Sequence, residues 1–120
     1  MAVKRTASGR ITVLEVRGDF TGGDETDRLR EAVLAEATAG NTLLVLDLTG
    51  CDTMNSSGIS VLVEAYRNYA ARGGEVRLCG LQKRLTAQLA TVRLINIFGH
   101  HATLDEALAA FAEPRAGKGS

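Results

Sequence analysis

The sequence predicts an α/β fold: one domain in which a mixed central β-sheet carries about four α-helices, packed mainly on one face. Three observations predict it. Segments rich in β-branched residues alternate along the chain with segments of helical periodicity. The strand predicted at residues 43–48 is mostly apolar, as is typical of a strand buried on both faces. The 120 residues, 45% of them hydrophobic, suffice for a real core without metals or disulfides.

The first strand and helix of the domain have clear boundaries. β-branched residues are frequent at residues 11–17, which favours a strand that ends at Gly18. After a turn, Asp24 can cap a helix that continues to about residue 38. The apolar residues on one face of this helix are Leu29, Val33 and Ala37.

A second helix follows the apolar strand and is predicted at residues 57–72. Gly73 and Gly74 end it, because glycine reaches left-handed backbone conformations without steric penalty. The residues predicted on its apolar face are Ile59, Leu62, Val63, Tyr66 and Ala70.

The C-terminal part of the chain is predicted to add a strand, a helix, a short extended piece and a final helix. Polar and apolar residues alternate at residues 75–79, as in a half-buried strand, and a helix follows at residues 82–93. An extended piece lies near residues 95–102. Thr103 and Glu106 match a capping box for the last helix. The apolar positions of these two helices are Leu85, Leu89 and Val92, then Leu104, Ala107, Leu108 and Phe111.

The predicted domain spans residues 10–113. Residues 1–9 form an N-terminal extension or an edge strand. Residues 114–120, which begin with the only proline, form a disordered tail.

The composition argues against several classes of function. Fourteen basic and fourteen acidic residues cancel, and no basic stripe is interleaved with aromatics, so no nucleic-acid partner is predicted. No apolar signal segment and no stretch of ~20 apolar residues is present, so we expect a soluble, cytoplasmic protein without direct membrane insertion. Cys51 and Cys79 lack metal-ligand spacing. Two reduced, part-buried thiols are favoured over a disulfide or redox pair, and no metal or cofactor is predicted.

The sequence Asn55-Ser56-Ser57-Gly58 lies where the apolar strand passes into the second helix. A helix N-terminus has unpaired backbone N–H groups and a positive partial charge. It therefore accommodates a side-chain oxygen, a bound anion or a phosphorylated serine. One interpretation is a simple helix cap, worth ~1 kcal/mol; the other is a regulatory phosphorylation site, and the two are compatible.

Ser57 is a poor candidate for a catalytic nucleophile. A nucleophile elbow requires glycine two positions before and two after the serine, where this chain has Asn55 and Ile59. The general base would have to be His100 or His101, and adjacent histidines are more often surface polar residues than a dyad or a metal site. A small hydrolase or nucleotide-binding protein is the least favoured class.

The order of elements and the motifs resemble the STAS domain family, whose best-known members are bacterial anti-sigma factor antagonists. The resemblance covers residues 10–112. Its motifs occur in a fixed order: Gly18-Asp19-Phe20, Val45-Leu46-Asp47-Leu48, Met54-Asn55-Ser56-Ser57-Gly58-Ile59, Gly73-Gly74 and Asp105-Glu106-Ala107-Leu108.

The resemblance implies a regulatory interaction domain and not an enzyme. In that family an anti-sigma factor kinase phosphorylates the serine immediately before the glycine, here Ser57, with Ser56 as the less favoured acceptor. The unphosphorylated protein binds the kinase, a sigma factor is released, and phosphorylation breaks the complex; a phosphatase is a further partner. The implied partner-binding residues are Thr21, Asn55, Ser56, Ser57, Gly58 and Ile59.

Two positions differ from the typical phosphorylated members, which have aspartates where this chain has Asn55 and Thr21. These neutral side chains repel a phosphate less, but they offer no anion to a kinase or to its metal. They motivate an alternative function, a STAS-like scaffold subunit of a signalling or lipid-transport assembly that is not phosphorylated.

Overall fold

The computed structural model describes residues 2–18 and 24–112. Within them, strands and helices alternate after an N-terminal hairpin, and the mixed α/β fold predicted from the sequence is confirmed. The elements are β1 (Ala2–Ser8), β2 (Ile11–Arg17), α1 (Asp24–Thr38), β3 (Leu43–Gly50), α2 (Ser56–Ala71), β4 (Glu75–Cys79), α3 (Lys83–Thr91), β5 (Gly99–His101) and α4 (Leu104–Ala112). The predicted tail, residues 114–120, lies outside the described residues.

The five strands form one sheet in the order β1-β2-β3-β4-β5. β1 is an edge strand that pairs antiparallel with β2, and the other pairings are parallel. Parallel neighbours need a crossover connection, and α1, α2 and α3 provide it. The central strand β3 lies between β2 and β4, with Leu46 aligned to Leu14 on one side and to Leu78 on the other.

The helices divide unequally between the two faces of the sheet. Alternate residues of β3 point to opposite faces, so Leu44, Leu46 and Leu48 share the larger core with α1, α2 and α3. Val45 belongs to a smaller cluster on the other face, which α4 covers through Ala107. Three helices therefore lie on one face and α4 lies on the other, as the expectation of helices mainly on one face requires.

The apolar face predicted for α2 is rotated by about one residue from the face that the structure buries. The buried residues of α2 are Gly58, Val61, Leu62, Ala65 and Tyr69. Tyr66, predicted to be buried, is 39% exposed and meets Phe98 edge-on at a ring-centroid distance of 5.7 Å. The prediction was wrong because two adjacent stripes of this helix have the same helical spacing, and α2 must contact both the sheet and α1.

Val92 was also predicted wrongly as a core residue. α3 ends at Thr91, Val92 is its C-cap, and the next residue, Arg93, has φ of 63°. The N–H of Arg93 donates to Ala90 O at 3.0 Å and that of Leu94 donates to Leu89 O at 2.8 Å, the pattern of a Schellman motif. This turn carries the chain away from the helix axis and leaves Val92 49% exposed.

The predicted capping box of α4 forms with one difference. The hydroxyl of Thr103 accepts from the N–H of Glu106 at 3.2 Å. The carboxylate of Glu106 accepts from the N–H of Ala102 at 3.2 Å and not from that of Thr103. The cap thus satisfies an N–H one residue further upstream than the pattern predicts.

Candidate functional site

The connection between β3 and α2, together with the first turn of α2, forms the candidate site. We call residues 51–59 the β3–α2 corner. As β3 ends, the N–H of Cys51 donates to Leu48 O at 2.9 Å, which closes a turn. The side chains of Cys51 and Met54 are both buried in the main core. These two anchors hold the corner on the sheet, so the chain emerges at the surface at Asn55.

Asn55 is the N-cap of α2. Its backbone is extended, with φ of −92° and ψ of −174°, and its Oδ1 accepts from the N–H groups of Ser57 at 3.0 Å and Gly58 at 3.1 Å. Its carbonyl oxygen accepts from the N–H of Ile59 at 3.0 Å. The predicted cap is therefore present, and a cap of this kind stabilises a helix by ~1 kcal/mol.

The two serines of the corner face solvent. Ser56 and Ser57 are exposed, Gly58 is buried, and Ile59 is half-buried against the main core. Among the described residues, the Ser57 hydroxyl has no hydrogen-bond partner, although the Ser57 N–H is occupied by Asn55. The hydroxyl is thus accessible to a second protein, and the helix beneath it is already capped.

The electrostatics of the corner favour an anion at Ser57. The first turn of α2 contains no acidic residue. Asp52, three residues before Asn55, is paired with Arg84 at 3.1 Å. The positive end of the α2 dipole is therefore not neutralised by a carboxylate in its own first turn, and a negative group there is stabilised by about 0.3–1 kcal/mol.

Asp47 bonds a residue at the end of its own strand. Its Oδ1 accepts from the backbone N–H of Thr49 at 3.1 Å and from the Thr49 hydroxyl at 2.7 Å. Both of these Thr49 groups belong to β3, so the carboxylate bonds the end of its own strand. Burial and then the neighbouring Asp47 raise the pKa of the Cys79 thiol to about 12, so this thiol is protonated and unreactive at neutral pH.

Helix α3 holds the corner from the side, which the sequence did not predict. The Gln88 amide donates from Nε2 to Met54 O at 2.6 Å, and its Oε1 accepts from Met54 N at 3.2 Å and from the Thr53 hydroxyl at 3.0 Å. The one sequence signal for this contact is the polar residue Gln88 beside the buried stripe of α3. It directly precedes Leu89 and follows Leu85 by three positions.

Of the two histidines, His101 does not provide a base for Ser57. Both lie on β5, where His100 is exposed and His101 is half-buried. The Nε2 atom of His101 lies 3.1 Å from Nη1 of Arg77, and the guanidinium of Arg77 lies 5.3 Å from the centroid of the Phe111 ring on α4. His101 therefore belongs to the sheet face that α4 covers, whereas α2 packs on the other face.

The structure brings together five of the six predicted partner-binding residues: Asn55, Ser56, Ser57, Gly58 and Ile59. The sixth, Thr21, lies outside the described residues. In the part of the chain that the structure describes, no group of three His, Cys, Asp or Glu side chains could hold a metal ion. Cys51 and Cys79 form no disulfide with each other, and both are buried. No described helix is long and apolar enough to cross a bilayer.

Sequence comparison gives one family match. The sequence model described as the STAS domain matches residues 2–107 of this chain. This range includes β1 and reaches Ala107 in α4, so the match takes in the whole sheet. No curated protein has a matching sequence.

Several solved structures have the same fold. An anti-sigma factor antagonist from Mycobacterium paratuberculosis is 21% identical, with 93% of this chain and 94% of that chain covered and a TM-score of 0.81. The Bacillus cell fate determinant SpoIIAA in its phosphorylated form is 17% identical, with 92% and 99% covered and a TM-score of 0.73. A sulfate transporter family protein from Wolinella succinogenes is 24% identical, with 88% and 87% covered and a TM-score of 0.75.

Proposed function

The chain belongs to the STAS domain family, and on that premise we propose that it is a regulatory, non-enzymatic interaction domain of the anti-sigma factor antagonist type. It binds an anti-sigma factor that is also a serine-protein kinase, and phosphorylation of Ser57 ends that interaction. A phosphatase restores the binding form. The proposal implies a bacterial, cytoplasmic protein that acts on transcription, because the kinase requires ATP and its other partner is a sigma factor.

The proposal depends on the hydroxyl of Ser57, which is exposed and lies at a helix start that Asn55 already caps. The described residues offer that hydroxyl no hydrogen-bond partner, and Asn55 occupies the neighbouring N–H groups. A kinase can therefore approach Ser57 without displacing a structural hydrogen bond of its side chain. The comparison that supports it is the shared fold with a protein whose structure is known in a phosphorylated form.

Phosphorylation at this position would act on the partner and leave the fold unchanged. A phosphate group adds about −1.5 to −2 charges, and the N-terminus of α2 has no acidic residue in its first turn to repel it. A partner that covers the corner must remove that charge from water, and each ~1.4 kcal/mol of cost lowers affinity tenfold. Binding can thus be lost without any conformational change in this protein.

The proposed contact surface consists of Thr21, Asn55, Ser56, Ser57, Gly58 and Ile59. Ile59 contributes apolar area, since it is only partly buried against the core. Asn55 and the serines contribute neutral polar groups. A small apolar centre with a polar rim is the usual composition of a protein interface.

The direct test is incubation with candidate anti-sigma factor kinases and ATP, followed by mass spectrometry to locate the phosphate. We expect a single phosphate on Ser57, which is lost in Ser57→Ala and retained in the matched variant Ser56→Ala. We also expect Ser57→Asp to weaken binding of the kinase. If no kinase modifies the protein, and if none binds either the wild type or Ser57→Asp, the proposal is wrong.

A second candidate function is a scaffold subunit of a signalling or lipid-transport assembly that is not phosphorylated. It is favoured by the absence of a carboxylate at Asn55 and by the shared fold with a sulfate transporter family protein. A scaffold role predicts stable co-purification with a larger assembly that Ser57→Asp leaves intact. Loss of that assembly on Ser57→Asp would instead favour the switch.

A further inference from the structure

We propose that Gln88 of α3 is the positioning residue of the β3–α2 corner, and that its side-chain amide sets how Ser57 is presented to a partner. The effect on a partner rests on the proposed function. The positioning itself is a property of this chain alone and can be measured without any partner.

The side-chain amide of Gln88 lies against the backbone of the β3–α2 corner. Its Nε2 donates to the carbonyl oxygen of Met54 at 2.6 Å, and its Oε1 accepts from the N–H of Met54 at 3.2 Å. One side chain thus bonds both backbone groups of a single residue, as a neighbouring strand would. The hydroxyl of Thr53 donates to the same Oε1 at 3.0 Å, so two successive residues are held.

Met54 is the last residue before the N-cap, so the position of its backbone determines where Asn55 begins helix α2. Its side chain is 1% exposed and packs in the main core, while Gln88 fixes its backbone. With Met54 held in this way, Asn55 adopts the extended backbone conformation that brings its Oδ1 to the N–H groups of Ser57 and Gly58. The orientation of the first turn of α2 therefore depends on a residue of another helix.

α3 is a suitable platform for this role because it is firmly anchored. Leu85 and Leu89, on either side of Gln88 in the helix, are fully buried. Two other contacts lie nearby: Gln82, the N-cap of α3, donates from Nε2 to Thr49 O in β3 at 2.9 Å, and Arg84 of α3 pairs with Asp52 at 3.1 Å. The Arg84–Asp52 pair is largely exposed and such pairs contribute little, and Gln82 acts on the end of β3. Only Gln88 acts next to the cap.

The first test is amide hydrogen exchange on the isolated protein with Gln88→Met, which keeps the side-chain length and removes both hydrogen-bonding groups. We expect exchange at Met54, Ser57 and Gly58 to rise about tenfold or more relative to wild type, while the amides of β3 keep their protection. The matched control Gln82→Met should leave Ser57 and Gly58 unchanged. Unchanged exchange at Ser57 and Gly58, or an equal rise throughout the sheet, would overturn the proposal.

A second variant, Gln88→Glu, tests the same geometry by pH. Its ionised carboxylate cannot donate to Met54 O and repels that oxygen, whereas the protonated carboxyl can donate to it and still accept from Met54 N. After correction for intrinsic exchange, protection of Ser57 and Gly58 should be low at pH 7 and should recover toward the wild-type level as the carboxyl is protonated. Protection that does not depend on pH would count against Gln88, and this test remains open if Gln88→Met does not fold.

The partner assay separates the two proposals. If a kinase modifies Ser57 in the wild type, Gln88→Met should lower the rate of phosphorylation by about tenfold, with little change in the β3 amides. If no kinase modifies the protein but exchange rises as expected, the proposed function fails and the positioning role stands. If Ser57 is modified equally fast in both proteins, Gln88 does not set its presentation.

Discussion

Arg5 on the edge strand β1 donates from Nε to the carboxylate of Glu36 on α1 at 2.6 Å. The Glu36 side chain is only 11% exposed, and it also accepts from Asn41 Nδ2 at 2.9 Å and from the Thr12 hydroxyl at 3.4 Å. Hydrogen bonding from Arg5, aided by Asn41, lowers the pKa of Glu36 against the opposing effect of burial. A single carboxylate thus joins the edge strand, β2 and the end of α1.

Acid should weaken the fold through Glu36. Because its pKa is lower in the folded protein than in the unfolded chain, its contribution to the free energy of unfolding is present above the unfolded value of about 4.3. That contribution is lost as pH falls through the folded pKa. In urea titrations from pH 7 to pH 3, Glu36→Ala should cost about 1–3 kcal/mol at pH 7 and less at pH 3. Glu31→Gln, a change of an exposed glutamate on the same helix, should keep the wild-type acid loss; equal costs of Glu36→Ala at both pH values would contradict the prediction.

The two tyrosines of α2 should differ sharply in their importance. Tyr69 is fully buried and its hydroxyl donates to Val33 O on α1 at 2.7 Å, whereas Tyr66 is 39% exposed. Tyr69→Phe should lower the free energy of unfolding by about 0.5–1.5 kcal/mol, the net value of one hydrogen bond. Tyr66→Phe should change it by less than about 0.5 kcal/mol. Chemical denaturation of both variants measures this, and equal losses would mean that the bond to Val33 contributes nothing.

Substitutions at Asn55 should separate capping from charge. Asn55→Ala removes the acceptor for the Ser57 and Gly58 N–H groups and should cost about 0.5–2 kcal/mol. Asn55→Asp keeps the acceptor and adds a negative charge at the start of α2, so it should be neutral or more stable than wild type by about 0.3–1 kcal/mol at low salt. Thermal denaturation at low and high salt checks both. A stabilisation by Asn55→Asp that does not decrease with salt would contradict the dipole explanation.

Under the proposed function, Asn55→Asp has a second expected effect. It restores the carboxylate that typical phosphorylated relatives have at this position, and should therefore raise the rate of Ser57 phosphorylation. Asn55→Ala, which offers no anion, should not raise it. Equal rates for wild type and Asn55→Asp would show that this carboxylate is dispensable for the kinase.

Two glycines with similar backbone angles should respond differently to alanine. Gly73 and Gly80 have φ of 76° and 71°, but a Cβ at Gly73 meets nothing within 4 Å, while one at Gly80 would clash with the Thr49 hydroxyl oxygen and lie 3.0 Å from its backbone nitrogen. Gly73→Ala should cost about 1–2 kcal/mol from the left-handed backbone alone. Gly80→Ala should cost more, about 2–5 kcal/mol, since overpacking is added. Urea denaturation of the two variants compares their free energies of unfolding. Equal costs would mean that β3 at Thr49 shifts to accommodate the added methyl group without loss of stability.

Local patterns predicted most of the fold, and the largest error, the buried face of α2, has a non-local cause. The bounds of β2, α1 and β4 follow from β-branched runs, an aspartate at the helix start and glycines just beyond the element ends, and these signals lie within the elements or directly beside them. The buried face of α2 could not be predicted in the same way, because residues 58–70 offer two overlapping apolar stripes. Which stripe is buried depends on where α1 packs, and the hydroxyl of Tyr69, which donates to Val33 O, lies at that contact.

The sequence predicts the contacts of the candidate site between residues close in the chain. It does not predict the contacts between residues far apart in the chain. Asn55 caps residues two and three positions further along the chain, so the sequence alone indicates that interaction. The contact between Gln88 and Met54 joins residues 34 positions apart, and no helical or strand periodicity relates them. Only the packing of α3 beside the corner brings them together.

The order of the strands in the sheet is the same as their order in the chain, which bears on how the protein folds during synthesis. Thr12 pairs with Leu44, and Leu44 pairs with Val76. Each strand therefore pairs with the strand that was synthesised before it. Each of these parallel pairings joins residues 32 positions apart, and parallel pairing at that separation is intrinsically slow because a long loop must close first. The sheet can grow strand by strand behind the ribosome, and the corner that carries Ser57 reaches its final geometry only when α3 has emerged.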